Sequence, residues 1–222
     1  MNLPIIVLGG GGHAKVLIEI LLLRHREVLG YTSLDDDGKT VLGVARLGDD
    51  EAVLEYAPDT LRLVNGVGSI ASASSRKRLF DRFQNQGYRF EDVIHPAAVM
   101  AADVRLGEGV QIMAGVVVQP GSRVGVNAIV NTGAVVDHDC DIGAHVHIAP
   151  GAVLSGGVRI KDEAHVGTGA VVIQGLMIGA GSIVGAGSVV VRDVPPGVTV
   201  VGVPGTVIRH HVAESMLGER IG

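Results

Sequence analysis

Between residues 94 and 190 the chain places an aliphatic side chain at every sixth position, from Ile94, Met100 and Leu106 through to Ile178, Val184 and Val190, seventeen times without exception. A second series follows four residues behind, from Ala98 to Val194, and is small or β-branched everywhere except Leu176. No α-helix carries a strict period of six, because 3.6 residues per turn would smear it around the cylinder. Short strands joined by sharp turns do carry it. The large aliphatic points inward and the small residue fills a corner. Gly107, Gly125, Gly143 and Gly179 fall on an 18-residue grid, with Lys161 the exception. Three hexads therefore make one turn of a triangular prism, with turns stacked at the strand spacing of about 4.8 Å. Such a coil cannot bury its aliphatic face alone, so stacking stabilises it.

Upstream the pattern changes. Residues 3–8 read as a buried strand, followed by Gly9-Gly10-Gly11-Gly12-His13 and a helical spacing of Val16, Leu17, Ile20 and Leu23 across residues 14–26. Residues 28–32 and 61–67 read as two more strands. Residues 49–56 read as a short helix, N-capped by Asp49 or Asp50, and residues 69–86 as a longer one with Arg76, Lys77 and Arg78 in its middle. Alternating strands and helices predict a small parallel, Rossmann-like βαβαβ sheet. The expected division is an α/β nucleotide-sugar-binding domain over residues 1–93 and a β-helix with a C-terminal cap over 94–222. Pro195 and Pro196 should end the repeat by removing ladder donors, with a short helix expected over 208–217.

Gly9 to Ala14 fits G-x-G-x-x-[G/A], and Asp35 and Asp36 follow about 20 residues later, where a carboxylate could meet a ribose. Only one βαβ half fits before Ile94, so the expectation is one nucleotide rather than a dinucleotide, with phosphates on the amides of Gly11 and Gly12 at the helix N-terminus. A tight glycine turn that serves packing alone is the competing reading.

Composition narrows the classes. Of 222 residues, 47% are hydrophobic but only 3% aromatic, with 33 Gly and no Trp, as a solenoid of Val, Ile and Ala requires. The net charge of −5 argues against a nucleic-acid footprint. One Cys excludes an intrachain disulfide and makes the cytoplasm the default compartment. No apolar run is long enough to span a bilayer, and the first residues lack a basic region, so no membrane association is expected.

The densest polar stretch inside the repeat is Asn131-Thr132 followed by Asp137-His138-Asp139-Cys140-Asp141 and His145-Val146-His147. The frame puts Cys140 in an inward slot, where a thiol has a raised pKa and poor access, so it is not read as a nucleophile. His138 and Asp139 fall at an outward strand–turn junction. An imidazole there, oriented by a carboxylate, is a candidate general base, with Asp137 and Asp141 as rival carboxylates. His147 and His165, 18 residues apart, should stack one coil apart, His147 lining a cleft and His165 at a surface edge. A metal would need a third ligand, and none has the spacing.

The repeat [Leu/Ile/Val]-x-x-x-[small]-x resembles the hexapeptide-repeat acyltransferases, whose prism is a left-handed parallel β-helix; the hand is taken from that resemblance, since general crossover chirality gives the opposite one. Gly9 to His13 after the first strand, Ile94-His95-Pro96, Asn131-Thr132, His138-Asp139 with His147 nine residues on, and Val201-Gly202-Val203-Pro204 resemble the sialic-acid O-acetyltransferase-like branch. That branch includes the nucleotide-sugar N-acetyltransferases of bacillosamine and perosamine pathways. The resemblance implies His138 as general base and Asp139, where the branch often has Glu, as its acidic partner. It implies His147, Thr168 and Ala186 at acetyl-CoA, and the Gly156 amide in an oxyanion role. It implies Gly11, Gly12, His13 and Gly68 at the nucleotide-sugar, with Asp35 and Asn131 counted among the substrate-binding positions. It also implies a homotrimer with active sites between prisms. Gly205-Thr206, where Ala-Lys is common, departs from the branch.

The expected activity is transfer of acetyl from acetyl-CoA, without a metal, to the amine of a nucleotide-linked amino sugar. O-acetylation of sialic acid or another sugar is the alternative. A metal-dependent protein resembling γ-class carbonic anhydrases and a non-catalytic assembly module are the readings from other classes.

Overall fold

The structure, a computed structural model, describes residues 3–35, 40–69 and 74–211. Strand β1 (Ile5–Leu8), helix α1 (Gly12–Leu23), strand β2 (Val28–Thr32), strand β3 (Arg46–Gly48), a 3₁₀ turn (Asp50–Glu55), strand β4 (Arg62–Asn65) and helix α2 (Ser74–Asn85) follow in order. The strands form a parallel sheet in the order β3-β2-β1-β4. Alternation along β1 sorts its side chains. Ile5 and Val7 join Leu17, Ile18 and Leu21 of α1 in a cluster continuous with the prism interior. Ile6 and Leu8 face the other way, toward Phe80 and Phe83 of α2. β3 is an addition to the expected three strands. It has only three residues and no alternation to betray it. The turn at Asp50 is 3₁₀ rather than α, capped as expected by Asp49, whose carboxylate accepts from the Glu51 amide at 3.0 Å.

From Val93 the chain winds through two-residue strands in three parallel sheets. The first face carries Val93–Ile94, Gln111–Ile112, Ile129–Val130, His147–Ile148, His165–Val166 and Ile183–Val184. The second carries Val99–Met100 through Val189–Val190, and the third Arg105–Leu106 through Met177–Ile178. Register is i to i+18 throughout, as in Arg123↔Asp141 and His147↔His165. The inward residue of each strand is one of the hexad aliphatics, and from Ile112 onward all are buried. This is the parallel β-helix expected from the repeat, left-handed as the resemblance implied. The glycine grid has a steric cause: a Cβ on Gly125 would fall 2.6 Å from the Gly143 carbonyl carbon, and one on Gly143 would fall 2.7 Å from the Asp162 amide nitrogen.

The C-terminal end differs from expectation. The prolines form a turn and do not stop the sheet, because Gly197 supplies its amide to the Ala180 carbonyl at 2.9 Å. Val198–Val201 then pairs parallel with Ile183–Val184, and Thr206–His210 returns antiparallel as a hairpin. The expected helix is therefore absent at 208–210, where β-branched Val207 and Ile208 favour a strand; residues 212–217 lie outside the described residues. The α/β layer docks on the first face and on the edge between the third and first faces. There Asn127 and His145 hold left-handed backbone at φ +54° and +58° and meet α2: Phe80 stands edge-on to His145, with ring centroids 5.8 Å apart. Among the described residues no helix is long and apolar enough to cross a membrane.

Candidate active site

His138 and Asp139 occupy the edge between the second and third faces. His138 Nδ1 lies 2.8 Å from Asp139 Oδ2, and both side chains are exposed. Asp139 is the ring's partner among the rival carboxylates; Asp137 accepts instead from the His138 backbone amide at 2.8 Å. Asp139 has φ +58°, in a slot that Gly121, Gly157 and Gly175 fill on neighbouring coils of the same edge. Its carboxylate rests on the coil below, where a Cβ on Gly121 would come 2.4 Å from Oδ1. On the coil above, a Cβ on Gly156 would fall 2.5 Å from His138 Nε2. Glycines on both sides thus make room for the pair. With Nδ1–H donating to Asp139, Nε2 is a lone-pair acceptor. The hydrogen bond to Asp139, then the charge of Asp137, raise the ring's pKa above the ordinary histidine value. Cys140, inward and buried, has its thiol pushed up by burial.

Thr168 and Ala186 lie in register on a different edge, between the first and second faces, and both are exposed. Five left-handed glycines accompany that edge, Gly115, Gly133, Gly151, Gly169 and Gly187, and a Cβ on any of the last four would meet nothing within 4 Å. The result is a smooth strip of bare backbone, a shape that suits a thin, extended ligand. Asn131 begins this edge.

His147 sits nearby on the first face but is buried beneath the α/β layer. Its Nδ1 faces both the Ser69 carbonyl at 3.0 Å and the Ser69 hydroxyl at 2.7 Å, and its Nε2 meets Asn131 Nδ2 at 3.1 Å. The carbonyl only accepts, so Nδ1 carries the hydrogen and Nε2 accepts from Asn131. Burial, then His165, lower the His147 pKa to about 3. Both ring nitrogens are therefore engaged within the chain. His165 stacks edge-on against His147, centroids 4.9 Å apart, and is half-buried rather than a free surface residue. Its Nδ1 finds no partner among the described residues. No group of three or more His, Cys, Asp or Glu able to hold a metal gathers among the described residues.

The glycine turn opens on a cleft of about 460 Å³ lined by Gly10, Gly11, Gly12, Lys15, Ser33 and Asp35, among others. Gly11 N-caps α1 without a side-chain bond, and neither Gly11 nor Gly12 would bring a Cβ within 4 Å of anything. Both glycines line the cleft at the start of α1, where helix amides lack intrahelical partners and suit an anion. Asp35 is exposed at its rim, while Asp36 lies outside the described residues. Gly68 packs on His13, 3.4 Å from Cβ to Cβ were it alanine, and His13 Nε2 meets Gln111 Oε1 at 2.7 Å.

The sequence-predicted residues thus fall into two groups. Gly11, Gly12, His13, Asp35, Gly68, Asn131, His147, Thr168 and Ala186 lie around the α/β layer, the first face and its edge. His138, Asp139 and Gly156 stand on another edge of the same prism. Sequence reasoning missed Lys15, one turn into α1 and beside the anion site, and Ser69 and Gln111, which hold His147 and His13 respectively. It placed Arg76 in a basic run, but the side chain is fully buried. Its guanidinium donates to the carbonyls of Asn65 at 2.7 Å and Val67 at 2.9 Å, and burial lowers its pKa to about 9.

Known proteins share this fold. Residues 4–83 match the PglD N-terminal domain. A perosamine N-acetyltransferase variant from Caulobacter crescentus, solved in complex with CoA and GDP-perosamine, is 43% identical over 93% of this chain and 97% of that one, with a TM-score of 0.87. The acetyltransferase domain of PglB from Neisseria gonorrhoeae, in complex with acetyl coenzyme A, is 35% identical over 94% of this chain and 100% of that one, with a TM-score of 0.86. A UDP-N-acetylbacillosamine N-acetyltransferase of Bacillus subtilis is 42% identical over 113 residues, a match spanning 49% of this chain and only 50% of that protein.

Proposed function

The chain belongs to the hexapeptide-repeat sugar N-acetyltransferases of the perosamine and bacillosamine type, and on that premise we propose that it transfers acetyl from acetyl-CoA to the amine of a nucleotide-linked amino sugar. The observation that carries this reading is the exposed His138–Asp139 pair, 2.8 Å apart, with Gly156 of the next coil against the Nε2 end of the ring.

The residues divide the work. The Gly11 and Gly12 amides and Lys15 hold the phosphates of the nucleotide, and Asp35 reaches the nucleoside. His13 and Gly68 face the sugar, with Asn131 beyond them. Thr168, Ala186 and the glycine strip beside them hold acetyl-CoA, which supplies the acyl group as a thioester. His138 Nε2 accepts a proton from the sugar amine as nitrogen bonds to the acyl carbon and the carbon–sulfur bond breaks, and it returns that proton to the departing sulfur. Asp139 keeps the ring in the useful tautomer and stabilises the imidazolium. The Gly156 amide donates to the acyl oxygen as negative charge develops on it. His147 acts through Asn131, whose amide it orients.

Because one chain puts His138 and the glycine strip on different edges, the working site is formed between two copies in a homotrimer. The second face, which separates those edges, presents Val99, Val117, Val135, Val153, Val171 and Val189 as an unbroken outward column, all but Val99 and Val153 half-buried already. Packing these columns about a three-fold axis brings one prism's His138 edge toward its neighbour's glycine strip. The reaction is assigned to the cytoplasm, where acetyl-CoA is made and used.

The test is product analysis. Incubated with acetyl-CoA and nucleotide-linked 4-amino sugars carrying GDP or UDP, the protein should form an amide on the sugar nitrogen, seen by mass spectrometry and NMR. Turnover of sialic acid or another hydroxyl acceptor in preference to every amine would replace this reading with O-acetylation.

A further inference from the structure

His13 and Gln111 come from different parts of the fold, the first turn of α1 and the outward column of the prism's first face. Gln111 is buried and has no freedom in how its amide lies. Its Nε2 donates to the Asn65 carbonyl at 2.8 Å, which leaves Oε1 to face His13 Nε2 at 2.7 Å. Turning the amide over would set Oε1 against that carbonyl oxygen, two acceptors at hydrogen-bonding distance. The Asn65 carbonyl is itself fixed, since Arg76 also donates to it at 2.7 Å, while Asn65 Nδ2 donates to the Arg76 carbonyl at 2.9 Å. An amide oxygen has no hydrogen, so the hydrogen in the His13–Gln111 bond belongs to His13 Nε2. The ring is neutral at ordinary pH: burial, then the nearby Arg76 charge, lower its pKa to about 4. Nδ1 therefore bears a lone pair, and no described residue donates to it.

We propose that Gln111 is a positioning residue that locks His13 in the Nε2–H tautomer, so that Nδ1 is a fixed hydrogen-bond acceptor for a hydroxyl or amine of the sugar. This extends the nucleotide-sugar reading above and rests on it for the identity of the ligand; the tautomer itself does not. The placement has a consequence for selectivity. Around the start of α1 the groups on offer are donors, the free amides and Lys15, and they suit phosphate oxygens. A phosphate oxygen has no hydrogen to give and is repelled by Nδ1. The neighbouring sugar carries the hydrogens that Nδ1 can accept. One imidazole nitrogen thus helps to set which part of the ligand lies over His13, with the phosphates over Gly11 and Gly12.

Long-range ¹H–¹⁵N NMR of the histidine-labelled wild type at pH 7.5 tests the tautomer directly. It should show His13 with a protonated Nε2 and a pyridine-like Nδ1; a protonated Nδ1 would overturn the proposal whatever the protein binds. In Gln111→Met, which keeps the length of the side chain, the two tautomers should mix. Calorimetry with GDP-perosamine against GDP, and with a UDP-4-amino sugar against UDP, tests the ligand. Gln111→Met should weaken the accepted nucleotide-sugar by about tenfold, as the loss of one well-placed hydrogen bond does, and leave the matching diphosphate unchanged. Gln111→Asn, which keeps the amide but shortens its reach, should recover part of the loss if it also restores the tautomer. Equal weakening of sugar and diphosphate would overturn the assignment of Nδ1 to the sugar. Failure of the wild type to bind any of the four nucleotides would sink the nucleotide-sugar reading itself, and leave the tautomer to be judged by the NMR result alone.

Discussion

Gly156 lies against the His138 imidazole, one coil further along the same edge, so close that a Cβ would fall 2.5 Å from Nε2 and 2.6 Å from Cε1. The obstructed atoms belong to the reactive end of the ring, and the glycine's backbone is of a kind that any residue adopts. Gly156→Ala should therefore leave folding intact and push the imidazole aside. A displacement on that scale lowers turnover by roughly 10²-fold. Thermal denaturation and steady-state kinetics on one preparation would check this. Loss of the folded state together with activity would mark Gly156 as structural.

The hydrogen bond to Asp139, then the charge of Asp137, raise the pKa of His138, so the basic form of the ring fills in at higher pH than in an unperturbed histidine. As a base, His138 must be unprotonated, so kcat/KM should rise with pH through a midpoint above about 6.5 and then level off. Asp139→Asn removes the charge and should move that midpoint downward while lowering the plateau. A pH–rate profile with an unmoved midpoint would mean that the titrating group is another one.

The left-handed backbone of Asp139, φ +58°, gives a second handle on the same residue. Asp139→Gly and Asp139→Ala both delete the carboxylate, so both should lose activity alike. The glycine variant alone relieves the backbone and should be the more stable of the two by about 1 kcal/mol. Urea denaturation at a single protein concentration would measure the difference, and equal stabilities would contradict it.

Much of this was legible in the sequence, and the limits are instructive. The hexad series announced the prism because a period of six has no helical reading, and every inward position it named is an inward position. The His138–Asp139 pair followed from its place in that frame. Gln111 did not, because the period says that it faces outward but not that the α/β layer covers it. Arg76 stands in the middle of its helix beside Lys77 and Arg78, but nothing in that run says that docking of α2 against Asn65 and Asn127 buries it. Strand β3 escaped because it has only three residues and pairs with β2 well upstream, and the Thr206–His210 hairpin escaped because a helix was expected to cap the prism there.

Burial of neutral His13 and His147 makes the fold acid-sensitive. Their pKa values of about 4 and about 3 lie below the unfolded value near 6.5. Above that value neither state carries the extra protons and the stability is fully present. As pH falls below it the unfolded chain binds protons that the folded chain refuses, and stability drops by up to about 1.4 kcal/mol per pH unit for each ring. Denaturation between pH 7.5 and 5 should show this slope, and His147→Gln should reduce it by one proton. A flat profile would show that these rings protonate in place.

The proposed reaction turns on His138 as the group that takes the proton from the sugar nitrogen. Steady-state kinetics of His138→Ala, with acetyl-CoA and the accepted nucleotide-linked amino sugar, test it most directly. The prediction is a fall in kcat of at least about 10²-fold, with the affinity for the nucleotide-sugar and the oligomeric state both retained. A kcat within twofold of the wild type would contradict the account.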